Sequence, residues 1–281
     1  MYTTLINAKQ LQTLLSDGAS VLVLDVRFDL NDATFGQQVY EVGHIPGAFY
    51  LHLERELSGV VSGHNGRHPL PERKHLAHWL RSHGLTDVTQ VVVYDQGSAM
   101  FAARAWALLR WLGHENVAVL DGGLPQWLRL GGKLSDQAPS LPPASTWQPK
   151  DSLLQIKTVD QVQDNLQEAA WLLVDARSQS RYLGEPHPLD KVSGHIPGAA
   201  NVFFQQNLDA QQQFLSPEQL QQIWKPLAQN KPLVHQCGSG VSACVNLLAQ
   251  KHAGLGDGAL YVGSWSEWTS SHNRAVSTAQ F

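Results

Sequence analysis

A hexapeptide that occurs twice constrains this sequence more than any other feature. Gly-His-Ile-Pro-Gly-Ala stands at 43–48 and again at 194–199. Each copy follows an apolar run that ends with an aspartate and an arginine, VLVLDVR at 21–27 and WLLVDAR at 171–177. Matching segments in the same order are typical of a duplicated structural unit. We therefore predict that the chain contains two copies of one domain.

Two further pairs of segments follow in the same order. VVVYDQGSAM at 91–100 corresponds to PLVHQCGSGVSA at 232–243, and VLDGGLPQW at 119–127 corresponds to YVGSWSEW at 261–268. With 281 residues the chain is long enough for two cores of ordinary size. The predicted boundaries are a first domain at 1–134, a proline-rich linker at 135–151 and a second domain at 152–281.

Within each copy, short β-rich runs alternate with helical stretches. Leu11, Leu14 and Leu15 have helical spacing before the strand-like run at 21–26, and the second copy repeats this pattern before 171–175. Strands that alternate with helices favour a parallel sheet with helices on both faces. The predicted fold class is α/β, with two such domains in tandem.

Composition excludes several classes of protein. A net charge of −4 and a pI near 6.3 argue against nucleic-acid and anionic-membrane partners. No apolar run is long enough to span a bilayer, and the start MYTTLINAKQ lacks the basic-then-apolar pattern of a secretory signal. Two cysteines cannot form a disulfide framework in a chain of this size. We expect a cytoplasmic protein without a nucleic-acid or membrane partner.

The second copy has a cysteine where parallel sheets bind ligands. Cys237 lies between a strand-like run at 232–236 and a helical stretch at 241–252. Glycines after the cysteine let backbone N–H groups converge on one point, and the helix adds its positive end there. A cysteine in this position has a lowered pKa and acts as a nucleophile, whereas the alternative is a buried core thiol. The residues predicted to contact the substrate are Gly238, Gly240, Val241 and Ser242.

The first copy differs at the position of the cysteine. Asp95 stands where the second copy has Cys237, and a carboxylate cannot act as a sulfur nucleophile. We therefore predict an inactive first copy and a catalytic second copy. The other cysteine, Cys244, shares a helix face with Leu248 and is expected to pack in the core without forming a disulfide.

These features together resemble the two-domain rhodanese family over essentially the whole chain. The resemblance rests on the duplicated Asp-X-Arg and GHIPGA segments, the aspartate in the first loop, the loop CGSGVSA and the terminal GSWSEW. It implies a sulfurtransferase that carries sulfur as a persulfide on Cys237. In this family Gly-Ser after the cysteine suits 3-mercaptopyruvate and Arg-Lys suits thiosulfate. Gly238-Ser239 therefore implies 3-mercaptopyruvate as the donor, with thiosulfate as the alternative.

The resemblance also implies a proton relay beside the cysteine. Ser239 matches the serine of a serine–histidine–acid relay, and His68 in His-Pro-Leu-Pro matches its histidine. Glu54 stands where the family has an aspartate, so the carboxylate is kept on a longer side chain. Such a relay would move the thiol proton of the substrate.

An arginine is implied as the residue that binds the substrate carboxylate. Arg181 matches this residue, and a guanidinium group suits the task because it binds a carboxylate through two parallel hydrogen bonds. The mercaptopyruvate enzymes often have a second arginine nine residues further on. This chain has Asp190 at that position and Lys191 after it, a departure that leans toward the thiosulfate enzymes.

Other chemistries fit the sequence less well. His75, His78 and His83 lack the cysteine or carboxylate that would complete a metal-ligand set, so no metal or other cofactor is expected. A cysteine phosphatase requires an arginine near the end of its loop, and 237–250 contains none. A non-catalytic sulfur carrier or interaction module is the remaining alternative. The expected partners are a small-molecule sulfur donor and a thiol acceptor, such as a thioredoxin-like protein, or cyanide.

Overall fold

Residues 1–229 and 231–278 are described by the structure, a computed structural model. The first unit consists of Met1–Gly59, Pro71–Leu153 and Ala210–Phe214, and the second of Val60–Leu70, Leu154–Asp209 and Leu215–Phe281. These units differ from the halves that the repeat predicts, since 60–70 clusters with the second unit and the predicted linker with the first. The last three residues of the predicted second domain, 279–281, lie outside the described residues.

The first unit contains a parallel sheet of five strands in its described residues. Its elements are β1 (Leu5–Ile6), α1 (Ala8–Ser16), β2 (Val21–Asp25), α2 (Phe35–Val42), β3 (Phe49–Tyr50), α3 (Arg73–Ser82), β4 (Gln90–Tyr94), α4 (Met100–Trp111), β5 (Val117–Leu120) and α5 (Gly123–Arg129). The strand order is β1-β5-β4-β2-β3, and every pair is parallel. The strand β4 is therefore central, and Asp95 follows it directly.

The second unit repeats this arrangement. Its elements are β6 (Gln155–Lys157), α6 (Val159–Glu168), β7 (Leu172–Asp175), α7 (Gln179–Tyr182), β8 (Ala200–Asn201), a 3₁₀ turn (Phe204–Asn207), α8 (Pro217–Ala228), β9 (Leu233–Gln236), α9 (Ala243–His252), β10 (Ala259–Tyr261) and α10 (Ser264–Trp268). The five described strands have the order β6-β10-β9-β7-β8, and all pairs are parallel. The α/β fold and its duplication are thus confirmed, and Cys237 follows the central strand β9.

Equivalent capping sequences begin the first helix of each sheet. The Asn7 side chain accepts a hydrogen bond from the backbone N–H of Gln10, and the Gln10 side chain accepts one from Asn7. Thr158 and Gln161 make the same reciprocal pair at the start of α6. Each pair satisfies two backbone donors that a helix start otherwise leaves unbonded, which stabilises the helix by about 1 kcal/mol.

The two conspicuous repeated motifs bind each other. In the second unit, Arg177 donates to both carboxylate oxygens of Asp175, and its Nη2 donates to the Gly194 carbonyl at 2.7 Å. The first unit has the same bonds among Arg27, Asp25 and Gly43. Because these groups are buried, the arginine joins the end of the strand to the start of GHIPGA in both units. The repetition of both motifs is therefore explained by the fold.

The predicted linker is bonded along the first unit. Ser135 exchanges two backbone hydrogen bonds with His44, and the Lys150 N–H donates to the Leu112 carbonyl at 2.9 Å. Trp147, in the middle of this segment, is 5% exposed. The proline-rich composition thus accompanies a segment that is ordered by contact with the first unit.

Helix lengths in the described part of the chain are short. α4 and α8 have 12 residues each, which corresponds to about 18 Å of helix. The hydrocarbon core of a bilayer is about 30 Å thick. Accordingly, no helix among the described residues is both long and apolar enough to cross a membrane.

Candidate active site around the Cys237 loop

Cys237 begins a loop whose backbone is hydrogen-bonded to the first residues of α10. The backbone N–H of Cys237 donates to the Ser264 hydroxyl at 3.1 Å, and its carbonyl accepts from the Trp265 N–H at 3.0 Å. The thiol is 2% exposed, and the Gly240 N–H points at its sulfur at 3.2 Å. The GSWSEW segment therefore contributes to the site by supporting the cysteine loop.

Gly240 has a conformation that other residues rarely adopt. Its φ angle is +77°, and a Cβ atom would lie 2.2 Å from the Val262 carbonyl oxygen. Both the dihedral angle and the close approach of the backbone exclude a side chain here. The glycine is what lets the loop turn so that its N–H group faces the sulfur of Cys237.

The loop lowers the pKa of the Cys237 thiol. Burial is the largest single influence and raises the pKa, because a charged sulfur loses hydration. The Ser242 hydroxyl and the backbone N–H groups of Ser239 and Ala243 act in the opposite direction, and together they outweigh burial. The net shift favours the thiolate, which is the nucleophilic form of cysteine.

The Ser242 hydroxyl is the first of the groups that stabilise this thiolate, so its removal is a direct test. Ser242→Ala should raise the pKa of Cys237 and slow its alkylation by iodoacetamide at pH 7 by about tenfold, since a hydrogen bond to a charged group contributes about 1.5–3 kcal/mol. The alkylation rate is measured against pH, with the modified peptide identified by mass spectrometry. Ser216→Ala, which removes the serine cap of α8, is the matched control. An unchanged pH profile in Ser242→Ala would contradict this assignment.

The first unit also has a ring of backbone donors at the end of its central strand, but it surrounds a carboxylate. Asp95 accepts from the N–H groups of Gly97 at 2.8 Å, Ala99 at 3.2 Å, Phe101 at 3.1 Å and Ala102 at 3.2 Å. Burial raises the pKa of Asp95 despite these bonds, and the side chain is 1% exposed. Two of these donors, Gly97 and Phe101, correspond to Ser239 and Ala243, whose N–H groups stabilise the Cys237 thiolate in the second unit.

His68 and Ser239 are in direct contact within the second unit. The Nδ1 atom of His68 lies 2.8 Å from the Ser239 hydroxyl oxygen, and each residue is 6% exposed. His68 belongs to the 60–70 segment of this unit, and Ser239 is two residues after Cys237. The structure therefore brings together two of the three residues of the predicted relay.

Glu54, the third residue of that relay, belongs to the first unit. It is exposed, and its backbone N–H donates to Nδ1 of His52 at 3.0 Å. A neighbouring carboxylate, Glu56, accepts from the His52 backbone N–H at 2.8 Å. The participation of Glu54 in proton transfer stays a prediction.

Arg181 is held by the aspartate that stands where a second arginine was expected. Its Nε and Nη2 donate to the two carboxylate oxygens of Asp190, each at 2.7 Å. Arg177 reaches the same carboxylate at 3.4 Å. Burial raises the pKa of Asp190, but the bonds and charge of Arg181 outweigh it and keep this pKa below its usual value. Asp190 is therefore an ionised partner of Arg181.

Arg67 is a residue of the site that the sequence analysis did not select. A Cβ atom on Gly238 would lie 2.9 Å from the Arg67 Nη2 and 3.0 Å from the Arg181 Nη2. Two guanidinium groups thus occupy the space that a side chain at 238 would need. The sequence signal for Arg67 is its position directly before His68, because a neighbour of the histidine predicted to contact Ser239 is also expected near the loop. The loop residues Gly238–Ala243 carry no charged side chain, and these two arginines bring positive charge to the loop from other segments.

A cavity of about 320 Å³ adjoins this cluster within the second unit. Its walls come from the 61–67 segment, the 188–191 segment and α10 with the residues that follow it. The side chains that line it include Arg67, Asp190, Lys191, Trp265 and Ser266. A volume of this size is typical of sites for small molecules. Lys191, considered from the sequence as a second cation, lies at this cavity and is exposed.

Comparison with known proteins agrees with the fold and with the cysteine loop. The model of the rhodanese-like domain matches residues 7–130 and again 158–271. A probable 3-mercaptopyruvate sulfurtransferase of Pseudomonas aeruginosa is 46% identical over 279 residues, which cover 98% of this chain and 98% of the relative. The thiosulfate sulfurtransferase of Cricetulus griseus is 36% identical, with 95% and 92% covered.

A solved structure supports the same relationship. The crystal structure of SseA from Escherichia coli, described in work on 3-mercaptopyruvate sulfotransferases, aligns with a TM-score of 0.80 at 30% identity. The alignment covers 94% of this chain and 99% of that protein. Because the domain model matches most of the chain and full-length relatives exceed 30% identity, this chain belongs to the rhodanese family. Its relatives act on two different sulfur donors, so the donor must be argued from the site.

Proposed function

We propose that this protein is a sulfurtransferase that takes sulfur from 3-mercaptopyruvate and carries it as a persulfide on Cys237. The sulfur then passes to a thiol, such as that of a thioredoxin-like protein, or to cyanide. The observation that carries this proposal is the contact of 2.8 Å between His68 and Ser239 in the cysteine loop. A hydroxyl–imidazole pair beside a nucleophile is suited to moving a proton. 3-Mercaptopyruvate has a thiol proton to move, and thiosulfate has none.

The first half-reaction uses this pair as follows. The Cys237 thiolate attacks the sulfur of the donor, and the carbon–sulfur bond breaks with its electron pair going to the carbon as the enolate of pyruvate. The thiol proton passes through Ser239 and His68 to that carbon, which yields pyruvate. The new sulfur remains on Cys237 as a persulfide anion, stabilised by the N–H groups that face the original thiolate. An attacking thiol then removes this sulfur and regenerates Cys237.

The charges around the loop favour a donor with one negative charge. The cations of the cluster are Arg67, Arg177 and Arg181, and the carboxylates are Asp175 and Asp190. Lys191 lines the adjoining cavity but is exposed, so solvent screens its charge and it is left out of this sum. One positive charge therefore remains, and the Cys237 thiolate balances it. Adding the single carboxylate of 3-mercaptopyruvate leaves one excess negative charge, whereas the thiosulfate dianion leaves two. Repulsion at short range in a partly buried site makes the second charge costly.

The alternative donor, thiosulfate, has one structural observation in its favour. The Nη2 groups of Arg67 and Arg181 beside Gly238 are donors that suit sulfonate oxygens as well as a carboxylate. If these two cations supplied most of the binding free energy of the donor, a loop with the neutral pair Gly238-Ser239 could still bind thiosulfate. The two donors therefore have to be compared on the same preparation.

We expect a higher kcat/KM with 3-mercaptopyruvate than with thiosulfate, by at least about tenfold, or about 1.4 kcal/mol. The measurement is the initial rate with each donor at saturating concentration of the same acceptor, at pH 7 and constant ionic strength. Constant ionic strength matters because screening weakens the charge argument. An equal or higher kcat/KM with thiosulfate would overturn the donor assignment and leave a thiosulfate sulfurtransferase.

We further propose a cytoplasmic location, on the basis of cysteine chemistry. Cys237 and Cys244 are both free thiols in the structure, and both are buried. A nucleophilic thiol that must be reduced to act suits a reducing compartment. Fractionation of cells with the tagged full-length chain tests this, and recovery in an oxidising compartment would contradict it.

A further inference from the structure

We propose that Arg67 is the principal residue that binds the donor carboxylate, and that Arg181, fixed by Asp190, is its secondary partner. This proposal rests on the proposed function, because it assigns the carboxylate of an α-keto acid donor to a particular cation. It supplies the second arginine that the sequence lacks at position 190. The cation comes from the 60–70 segment, which belongs to the same unit as the cysteine loop.

The position of Arg67 relative to the loop is the first argument. Its Nη2 lies 2.9 Å from where a Cβ on Gly238 would be, and the Arg181 Nη2 lies 3.0 Å from the same point. Both groups therefore face the residue directly after Cys237. A carboxylate placed against the backbone of Gly238 is within reach of both guanidinium groups and near the sulfur that must be attacked.

The two arginines differ in how many of their N–H groups are already hydrogen-bonded. Arg181 already gives Nε and Nη2 to Asp190, so a substrate carboxylate has to compete with a bidentate ion pair. Arg67 gives Nη1 to the Leu189 carbonyl at 2.7 Å. Across residues 1–229 and 231–278, its Nη2 has no hydrogen-bond acceptor and the side chain forms no ion pair. Arg67 is thus the cation with an unused donor directed at the loop.

Burial is the third argument. Loss of hydration lowers the pKa of Arg67, with the nearby charges of Arg181 and Arg177 acting in the same direction. The charges of Asp190 and the Cys237 thiolate oppose this shift without cancelling it. A cation that has lost water and lacks its own carboxylate gains more from an arriving anion than one already paired. Binding of the donor carboxylate to Arg67 should therefore be more favourable than binding to Arg181, which is already paired.

The backbone of Arg67 is also connected to the cysteine loop through Ser266. The Arg67 backbone N–H donates to the Ser266 hydroxyl at 3.1 Å, and Ser266 in turn donates its N–H to the Gly238 carbonyl at 3.0 Å. Arg67 and Gly238 are therefore fixed to the same residue of α10. This arrangement holds the backbone of Arg67 next to the loop before a donor binds, and the bond from Nη1 to the Leu189 carbonyl holds its side chain.

Binding of pyruvate, which has the carboxylate of the donor but no sulfur, tests the proposal without catalysis. We expect Arg67→Ala to raise the Kd for pyruvate at least tenfold, and Arg181→Ala to raise it less. Arg67→Lys, which keeps the charge but not the fork of donors, should recover part of the affinity. Arg129→Ala, which removes an exposed arginine of α5, is the matched control for the loss of one positive charge. Calorimetric titration measures Kd, and thermal unfolding shows whether each variant is folded.

The outcomes separate this proposal from the proposed function. Pyruvate affinity in Arg67→Ala equal to that of the unmodified chain, or a larger loss in Arg181→Ala, overturns the role of Arg67. Absence of measurable pyruvate binding to the unmodified chain overturns it as well. If the unmodified chain binds pyruvate through Arg67 but takes no sulfur from 3-mercaptopyruvate, the proposed function fails and the carboxylate site stands. Should Arg67→Ala not fold, Arg67→Met keeps the apolar stem and gives the same comparison.

Discussion

Cys237→Ser should abolish sulfur transfer while the protein stays folded. A serine hydroxyl is not ionised near neutral pH and cannot form a persulfide, so the donors that face the sulfur of Cys237 have no nucleophile to stabilise. We expect a loss of at least about 10⁴-fold in kcat, the scale on which removal of a nucleophile acts in covalent catalysis. The measurement is a sulfur-transfer assay together with intact-mass spectrometry after treatment with the donor. The unmodified chain should gain one sulfur atom and the variant none.

Cys244→Ser is the matched control for this experiment. Cys244 lies on α9, is fully buried, and its thiol donates to the Gly240 carbonyl at 3.4 Å. It contacts the loop from the core side, so we expect most activity to remain with a small loss of stability. The peptide that carries the added sulfur should contain Cys237. Detection of that sulfur on Cys244 would overturn the assignment of the nucleophile.

The sequence predicted those parts of the site that depend on neighbouring residues along the chain. A strand followed by a cysteine, two glycines and a helix is a local pattern, and β9, the loop and α9 follow it. The duplication could be recognised from the sequence because both of its motifs are needed for one set of contacts. Arg177 binds both Asp175 and the Gly194 carbonyl, so the fold constrains the two motifs together in each copy. The same logic located Asp95 at the end of β4.

The sequence could not predict the parts that depend on packing between distant segments. Arg67 was missed because the repeat assigns residues by their order along the chain, whereas contacts place 60–70 with the second unit. Asp190 was read as the loss of an arginine, although it is the residue that fixes Arg181. Both points concern charge, since the charge at the loop is the sum of side chains that come from several segments. Composition and spacing contain no information on that sum.

His68→Ala should reduce kcat/KM with 3-mercaptopyruvate by about 10²- to 10³-fold, within the range typical of a lost general acid–base group. The physical reason is the contact of 2.8 Å with Ser239, through which the thiol proton of the donor would leave and return to carbon. Thiosulfate has no such proton, so its kcat/KM should fall by much less. The measurement is the ratio of kcat/KM for the two donors in the variant and in the unmodified chain. We expect this ratio to shift toward thiosulfate by at least about tenfold.

His64→Ala is the matched control for His68, because His64 lies on the same 60–70 segment and its side chain is exposed. It should leave both donors unaffected. A third variant, Ser239→Ala, removes the other half of the pair, and its effect on the donor ratio should resemble that of His68→Ala. Residues that act as one unit are not additive, so the double variant should be little worse than either single variant. Equal losses of kcat/KM with both donors in His68→Ala would instead assign the histidine to positioning of the loop, because a distorted loop slows the attack of Cys237 on every donor.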